Sequence, residues 1–352
     1  MISPGVAQGH SSFTVIATGL DNPRGLAFAP NGALYVAEAG RGGAGPCFPG
    51  PEGGDTCFGA SGAITKIWKH RQSRVITGLP SLAAPDGADA VGPSDVSFRK
   101  GSDRVYFTVG LGADPALRAQ LPPLGQQASG WLLRGSHHGS WRQVADIAAY
   151  EAVANPDGGL PDSNPNSVLA VRNGWVVADA GGNSLLRVSA HGKITTLAVF
   201  PDVLVDAPPF LGLPPGTQIP MQAVPTSVTL GPDGAYYVGQ LTGFPFPPGA
   251  AKVYRVVPGQ APTVYAEGFT NIIDIGFDHR GRLFVLEIAH NGLLSGDPTG
   301  ALIRVKSGGG QRIVASAGLT NPGGLAIRHG FAFVSNCGTC AGTGEVVRIP
   351  LH

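Results

Sequence analysis

Polar residues recur directly after short apolar runs, in positions where a carboxylate could transfer protons. In VADAGGNSLLRV, residues 177–188, an apolar run meets Asp179, two glycines and an amide, and then resumes. The residues in the same position elsewhere in the chain are Glu38, Val109, Gln240, Glu287 and Asn336. A buried polar side chain must be hydrogen-bonded or must bind something. Asp179 can be satisfied by N–H groups of its own glycine turn. Glu38 and Glu287 lack that turn sequence and are candidate acids for proton transfer.

His290 is the candidate catalytic histidine, because it alone among the internal histidines lies in a long segment between apolar runs. A histidine-rich metal centre needs convergent imidazoles, and a serine–histidine couple needs a base held by a third group. Neither is expected, because the other internal histidines fall in short turns: His70, His137, His138, His191, His279 and His329.

A second set of oxygen-bearing residues stands at the start of apolar runs. Asp95 and Asp274 occupy this position in two of them, and Asn166 lies beside Ser167, which occupies it in a third. Carboxylate, amide and hydroxyl oxygens suit Ca²⁺ or Mg²⁺ better than zinc. The sequence therefore predicts Asp95, Asn166 and Asp274 as metal ligands. The alternative is that these side chains cap strand ends or bind internal water.

Two long segments are unusually apolar and rich in proline, FPDVLVDAPPFLGLPPGTQIPMQAVP at 200–225 and LTGFPFPPG at 241–249. Their side chains either line a cleft for an apolar ligand, with a few polar groups, or pack on one another as a lid. The predicted ligand contacts are Arg24, Phe210, Met221, Gln240, Phe244 and Phe246.

Four cysteines form two local pairs, Cys47 with Cys57 and Cys337 with Cys340 in CGTC. Two disulfides would cross-link the loops that carry these cysteines and would imply an oxidising compartment. The alternative is one four-thiolate metal site, although the spacing is not the usual paired CxxC. A thioredoxin-type centre is not expected, because no βαβ pattern surrounds CGTC.

An internal repeat supplies the elements that position these residues. Six segments share an entry such as Asn-Pro, an apolar strand, a tight turn and a second apolar strand; they are residues 22–38, 92–109, 164–179, 224–240, 271–287 and 321–336. Turns such as PNG, PDG and RNG carry the residues that positive φ requires. A third and a fourth strand follow most hairpins, and this pattern is typical of a six-bladed β-propeller in an all-β protein.

The sixth repeat lacks a fourth strand, and FTVIATGL at 13–20 is predicted to supply it. The first and last segments then close the ring, which leaves no free sheet edge. We expect a flexible segment at 1–12 and a single propeller domain at 13–352. The long insertions all fall on one face, where we expect the functional site; they are residues 39–61, 111–129, 145–163, 199–223, 241–250 and 288–299.

The composition narrows the classes of function. The net charge of +1 and the lack of a Lys/Arg block give no footprint for nucleic acid. Fifty-four glycines and 31 prolines suit short strands and tight turns. No apolar run reaches the length of a membrane span, and MISPGVAQGHSS lacks the basic and apolar regions of a signal peptide.

Several stretches together resemble the ScyD/ScyE family of NHL-like propellers. They are DNPRGLAFAPNGALYVAEAG, SNPNSV with VADAGGNSLL, VPTSVTLGPDGAYYVGQLTGFPFP, and GLTNPGGLAI with SNCGTCAGTGEVVRI. The resemblance implies a secreted or periplasmic bacterial propeller, and named members belong to gene clusters for scytonemin, an indole-phenol pigment. It transfers no catalytic residues, and a fold alone brings no chemistry.

Two hypotheses follow. One is an enzyme acting on a flat aromatic small molecule, with a divalent cation near Asp95 and Asp274 and with Glu287 or Glu38 transferring protons. The other is a non-catalytic module that binds a metabolite, a polymer or a protein. The sequence does not indicate the oligomeric state.

Overall fold

The structure is a computed structural model that describes residues 13–50, 53–136, 138–306 and 308–351. The segment 1–12, predicted to be flexible, lies outside the described residues. The first strand, β1, is Thr14–Leu20. Six antiparallel sheets, called blades 1 to 6, contain the strands of the repeat.

The first three blades are built from strands that follow one another in the chain. Blade 1 contains β2 (Pro23–Phe28), β3 (Leu34–Glu38), β4 (Cys47–Pro49), β5 (Asp55–Trp68) and β6 (Arg71–Ala83). Blade 2 contains β7 (Pro93–Phe98), β8 (Val105–Val109), β9 (Trp131–Gly135) and β10 (Trp141–Asp146). Blade 3 contains β11 (Pro165–Val171), β12 (Gly174–Asp179), β13 (Ser184–Ser189) and β14 (Ile194–Val199).

A separate hairpin of β15 (Val203–Asp206) and β16 (Gln218–Met221) precedes blade 4. Blade 4 contains β17 (Pro225–Leu230), β18 (Tyr236–Gln240), β19 (Ala251–Val256) and β20 (Thr263–Phe269). Blade 5 contains β21 (Ile272–Phe277), β22 (Leu283–Glu287), β23 (Ala301–Val305) and β24 (Gln311–Ala315). Blade 6 contains β25 (Gly324–Arg328), β26 (Phe331–Asn336) and β27 (Gly344–Pro350), with β1 as its fourth strand.

The blades form a closed ring. The inner strands of successive blades contact one another from β2 to β25, and β25 contacts β2. In blade 6, β1 pairs antiparallel with β27 from Thr14 opposite Arg348 to Leu20 opposite Gly344. The six-bladed fold and its closure by the N-terminal strand are therefore confirmed.

Apolar side chains between neighbouring blades make up the core. Between blades 1 and 2, for example, Ile76 and Leu79 pack with Phe107 and Leu133, and all four are fully buried. The interface between blades 3 and 4 is built in the same way around Phe200. The ring is thus a series of sheet-on-sheet contacts, each filled by side chains from two blades.

The asparagines that precede the inner strands have a geometric role. Asn22, Asn271 and Asn321 all have positive φ, between 36° and 49°, a conformation that asparagine tolerates well. The Asn22 side chain also donates to the carbonyls of Gly40 and Gly87. The entry to each of these strands therefore turns sharply and is held by the neighbouring loops.

The insertions carry short elements of their own. They include 3-10 helices at Pro115–Gln120, Pro209–Leu211 and Leu293–Ser295, and two α-helices, α1 (Pro123–Ala128) and α2 (Ile147–Ala154). The sequence pattern placed the whole of 39–61 outside the strands, but β5 begins at Asp55 and pairs with both β4 and β6. The first insertion is therefore largely a continuation of the blade. None of the helices in the described residues is long and apolar enough to span a membrane.

Candidate functional site

The polar residues at the ends of the second strands bind the backbone just before the inner strands. Glu38 accepts from the N–H of Asp21 at 2.8 Å, and Glu287 accepts from Thr270 at 2.7 Å. Asn336 accepts from Thr320 at 2.8 Å. The apolar run therefore ends in a polar residue because the chain entry beside it carries an N–H that needs an acceptor.

Asp179 also binds the backbone just before the inner strand of its blade. Its carboxylate accepts from the Asn164 N–H at 2.6 Å and from the Ser163 hydroxyl at 2.8 Å, with a longer contact of 3.5 Å to the Gly182 N–H. Burial raises the pKa of Asp179 to about 6, although these bonds favour the charged form. The residue anchors the strand entry first, and its own glycine turn only secondarily.

Glu38 is held by a cation. It is fully buried and accepts three contacts from the Arg74 guanidinium, at 2.6, 3.0 and 3.2 Å, and also a bond from the Thr65 hydroxyl. Arg74 also pairs with Asp21 at 3.0 Å. Both oxygens of Glu38 therefore accept from protein donors, and its role as a catalytic acid stays a prediction.

Glu287 and His290 lie together, as a proton-transfer pair would require. One Glu287 oxygen contacts His290 Nδ1 and the other accepts from Thr270. Glu287 is buried, whereas the His290 side chain is 35% exposed. Burial raises the pKa of Glu287, although the bonds from His290 and Thr270 lower it. When Glu287 is ionised, the neutral imidazole carries its hydrogen on Nδ1 and donates a hydrogen bond to the carboxylate. The Nε2 atom is then unprotonated and can act as a base.

This pair is joined to the aromatic insertion of blade 4. The Thr270 hydroxyl accepts from the N–H of Gly249 at 3.0 Å, while the Thr270 N–H binds Glu287. Gly292, two residues after His290, lies against Pro248, whose Cγ would be 3.3 Å from a Cβ at position 292. The segments 288–299 and 241–250 therefore form one continuous surface.

Three of the predicted aromatic contacts form a cluster on that surface. The ring centroids of Phe210 and Phe244 are 6.2 Å apart, as are those of Phe244 and Phe246. Phe210 is 68% exposed and Phe244 is 41% exposed, so the rings do not close into a dry lid. We call these three residues the aromatic cluster.

The remaining predicted contacts are placed differently. Met221 and Gln240 are buried, and the Gln240 Oε1 atom has no hydrogen-bond partner in the described residues. Arg24 lies on the inner strand of blade 1 and donates to the Ala90 carbonyl at 2.9 Å. Burial lowers the pKa of Arg24. Contact of a ligand with Met221, Gln240 or Arg24 stays a prediction.

The inner-strand acids bind backbone across blade boundaries. Asp95 accepts from Ser167 Oγ at 2.8 Å and from the Val168 N–H at 2.9 Å in blade 3, and Asp274 accepts from the Leu325 N–H at 2.6 Å in blade 6. Asn166 donates to the Thr226 carbonyl at 2.7 Å. Burial raises the pKa of Asp95 to about 6 and raises that of Asp274 well above its usual range, helped by the negative charge of Asp95.

These bonds satisfy both oxygens of each aspartate, because the second oxygens accept from Val96 and Ile275. In the described part of the chain, no three His, Cys, Asp or Glu side chains are grouped as metal ligands. The carboxylate oxygens of Asp95 and Asp274 are thus already bound by protein donors. Metal binding by Asp95, Asn166 and Asp274 stays a prediction.

A cleft not anticipated from the sequence lies between the insertions of blades 1 and 2, with a volume of about 240 Å³. Its lining is mainly apolar: Phe48, Pro49, Thr56, Leu82, Val91, Leu111, Gly112, Ala113, Leu117, Gln120 and Leu121. The cleft shares Leu111 and Leu121 with an apolar cluster that also contains Phe58 and Ala148. The leucines of 111–124 were the available signal, but Phe48, Pro49 and Thr56 in the cleft belong to β4 and β5 of blade 1.

The cysteines pair as two disulfides, Cys47 with Cys57 and Cys337 with Cys340, and no cysteine in the described residues is free. The four-thiolate alternative is therefore wrong. The predicted turn histidines lie in turns on the face opposite the insertions, at His70, His138, His191, His279 and His329, and His137 is outside the described residues.

Glu151 was not anticipated from the sequence. It lies on α2, in the apolar stretch IAAYEAVA, and it is fully buried. Burial raises the pKa of Glu151 to about 8, and the charges of Asp179, Asp157 and Asp162 add to the effect. A single carboxylate within an apolar helix was the signal available in the sequence.

The chain matches no protein-family model and no curated protein. Among solved structures it is similar to a gluconolactonase from Xanthomonas campestris, with 10% identity and a TM-score of 0.54, over 97% of this chain and 90% of the other. It is also similar to virginiamycin B lyase from Staphylococcus aureus, with 13% identity and a TM-score of 0.50, over 97% and 100%. A glucose dehydrogenase matches with 14% identity and a TM-score of 0.56, over 97% and 100%. At these identities the similarity establishes the six-bladed propeller fold alone.

Proposed function

We propose that the protein binds a hydrophobic, aromatic small molecule on its insertion face and that His290 transfers a proton to or from it. The observation that carries the proposal is the continuity between the Glu287–His290 pair and the aromatic cluster. A buried carboxylate holds the imidazole, and exposed rings stand on the adjacent insertion. Catalytic sites combine an oriented base with an apolar binding surface in this manner.

The arrangement assigns a role to each group. Phe244, at the centre of the aromatic cluster, stacks against the ligand ring. His290 Nε2 accepts the proton, and Glu287 stabilises the imidazolium that forms. Thr270 positions Glu287 through its N–H.

Two further considerations support a small aromatic ligand. The resemblance to ScyD/ScyE proteins connects the chain with indole-phenol chemistry. The structural neighbours named as a lyase and a gluconolactonase show that this fold can host reactions of small molecules. An extracytoplasmic location, secreted or periplasmic, is part of the proposal and is supported by the two disulfides.

A second candidate function is non-catalytic binding in the apolar cleft of blades 1 and 2. The observation that favours it is the lining, which contains no titratable side chain among the described residues. Such a cleft can hold an apolar ligand, but it offers no acid or base for a reaction.

Calorimetric titration with a panel of substituted indoles and phenols tests both candidates. We expect Phe244→Ala to weaken binding at least about tenfold, which corresponds to about 1.4 kcal/mol. His290→Gln should leave affinity within a few fold but abolish turnover of any member that the protein converts. Trp68→Ala, which removes an exposed aromatic residue on the opposite face, is the matched control.

Leu117→Trp, which narrows the cleft, separates the two candidates. If Leu117→Trp abolishes binding while Phe244→Ala has no effect, the ligand occupies the cleft and the proposed site is wrong. If binding is intact and no member is converted, the protein is a binding module.

A further inference from the structure

Glu151 is a buried carboxylate without a partner. The side chain is fully buried, and neither of its oxygens has a hydrogen-bond partner in the described residues. An isolated carboxylate in this position loses its hydration and receives nothing in return, which is strongly unfavourable. The raised pKa of Glu151 reflects this cost, and a cation bound beside the group would favour its ionised form.

The side chains around Glu151 are mostly acidic, so they add negative charge and do not neutralise it. Asp162 has one buried oxygen, Oδ1, that is also without a partner in the described residues. Asp157 and Asp179 lie close enough to act on Glu151 electrostatically. The Asp157 oxygens already accept from Gly159 and Asn183. The Asp179 oxygens already accept from Ser163 and Asn164. The nearby cation Arg118 is committed to Asp146, with contacts of 2.6 and 2.8 Å.

The glycine turn of blade 3 brings the two unpartnered carboxylates to one place. Glu151 Oε2 lies 2.5 Å from the position that a Cβ on Gly182 would occupy, and Asp162 Oδ1 lies 2.7 Å from that of a Cβ on Gly181. Any side chain at either glycine would collide with a carboxylate. The two glycines of VADAGGN therefore keep the oxygens of two different segments close against one turn.

We propose that this turn is a calcium site in which Glu151 and Asp162 supply the carboxylate ligands. Ca²⁺ takes six to eight oxygen ligands in flexible geometry, and carboxylates, amide oxygens and water all serve. Two further oxygens have no partner in the described residues, Asn155 Oδ1 at the end of α2 and Asn164 Oδ1, which lies against Gly110. No histidine or cysteine belongs to this set, which disfavours zinc.

The number of ligands sets the strength of binding. No three carboxylates converge as a metal cage in the described residues, so the site has two acids and relies on neutral oxygens and water. Such a site belongs to the weak class, with a Kd of roughly 10⁻⁴–10⁻³ M. It suits a protein exposed to extracytoplasmic calcium rather than to the low levels inside a cell.

Calcium would also connect three parts of the insertion face. Glu151 belongs to α2, Asp162 belongs to the segment that enters blade 3, and the turn belongs to blade 3 itself. The bridge between Ala113 and Ser163 extends the connection to the wall of the apolar cleft. The site lies on blade 3 and is separate from the inner-strand residues Asp95 and Asp274.

Thermal unfolding of the full chain, stripped with EDTA and titrated with CaCl₂ above pH 8, where Glu151 with its pKa of about 8 is mostly ionised, tests the proposal. We expect a saturable rise in Tm of roughly 2–5 °C, and terbium luminescence that CaCl₂ displaces. Glu151→Gln should abolish both responses, because the amide keeps the shape and removes one charged ligand. This variant should fold, because it replaces a carboxyl group without hydrogen-bond partners by an uncharged amide of the same shape.

Two control variants locate the ion. Glu267→Gln changes an exposed acid and should retain the full response. Asp95→Asn should also retain it, because Asp95 lies on the inner strand of blade 2. The proposal is overturned if the wild-type Tm does not respond to CaCl₂, if Glu151→Gln still responds, or if Asp95→Asn alone removes the response.

Discussion

The carboxylate of Asp95 in blade 2 accepts the backbone N–H of Val168 in blade 3 at 2.9 Å, and it thereby ties two inner strands together. The same relation joins Asp274 to Leu325 between blades 5 and 6, at 2.6 Å. Ser167 continues it by accepting from Val228 of blade 4 at 3.3 Å. The inner ring is therefore held by side chain to backbone bonds as well as by apolar packing.

Replacing Asp95 tests this clamp. Asp95→Asn substitutes an amide donor for one of two oxygens that face the donors Val96, Ser167 and Val168. We expect a loss of about 1–3 kcal/mol in the free energy of unfolding, the cost of one unsatisfied buried group. Guanidinium denaturation measures it, with the exposed Asp202→Asn as a control. A wild-type stability for Asp95→Asn, together with a loss of bound metal, would show that Asp95 is a metal ligand.

The clamp also predicts a pH dependence. Burial raises the pKa of Asp95 from 3.8 to about 6, so the folded state holds its proton more tightly than the unfolded chain does. Its contribution to stability is fully present below the ordinary pKa and declines as the pH rises through about 6. Asp274 shifts in the same direction. The stability difference between wild type and Asp95→Asn should therefore narrow between about pH 4 and about pH 7. Parallel pH profiles for the two proteins would contradict this account.

The sequence was sufficient for the ring because turn residues and apolar periodicity are local. PNG and PDG turns define the hairpins, and a fourth strand missing after Ile349 pointed to the strand at 13–20. The same reasoning placed His290 in the insertion that follows Glu287, but their contact is known only from the structure.

Partners that are distant in the chain could not be predicted in this way. Nothing near Glu38 indicates that Arg74 neutralises it, and the apolar cleft combines Phe48 with Leu117 from another blade. The exposure of Phe210 and Phe244 also depends on how the β15–β16 hairpin projects, which periodicity does not specify. Tertiary contacts of this kind decide whether an acid is structural or functional.

Val224 is a site where a substitution should increase the stability of the protein. It precedes the inner strand of blade 4 with φ at +52°, a conformation unfavourable for a β-branched residue and filled by Asn22, Asn271 and Asn321 in other blades. We expect Val224→Asn to raise the free energy of unfolding by about 1 kcal/mol. Val224→Thr keeps the β-branch and is the matched control. An equal gain from both would mean that relief of backbone strain is not the cause.

The two disulfides should differ in their contributions. Cys47 and Cys57 are separated by 10 residues, whereas Cys337 and Cys340 are separated by 3. Loop entropy predicts losses of about 2–3 kcal/mol for Cys47→Ser with Cys57→Ser and about 1–2 kcal/mol for the other pair. Thermal unfolding compares the two double variants. The first pair flanks Phe48 in the wall of the cleft, so ligands of the cleft should also bind more weakly to that variant.

Variants of Glu38 and Arg74 test whether Glu38 is a structural or a catalytic acid. Arg74→Met leaves Glu38 buried with only Asp21 and Thr65 as partners, and we expect a loss of about 2–3 kcal/mol. This loss is smaller than that for a fully buried pair, because the Arg74 side chain is 40% exposed and water can partly replace it. Adding Glu38→Gln removes the stranded charge and keeps an acceptor for Asp21.

The double variant Arg74→Met, Glu38→Gln should therefore be more stable than Arg74→Met alone. Denaturation of the wild type, the two single variants and the double variant measures the coupling free energy between the two residues. Losses that simply add would show that Arg74 does not neutralise Glu38. Glu38→Gln should also leave ligand affinity and any turnover unchanged, because the carboxylate faces Arg74 and the strand entry. Loss of turnover with unchanged stability would instead make Glu38 a catalytic acid.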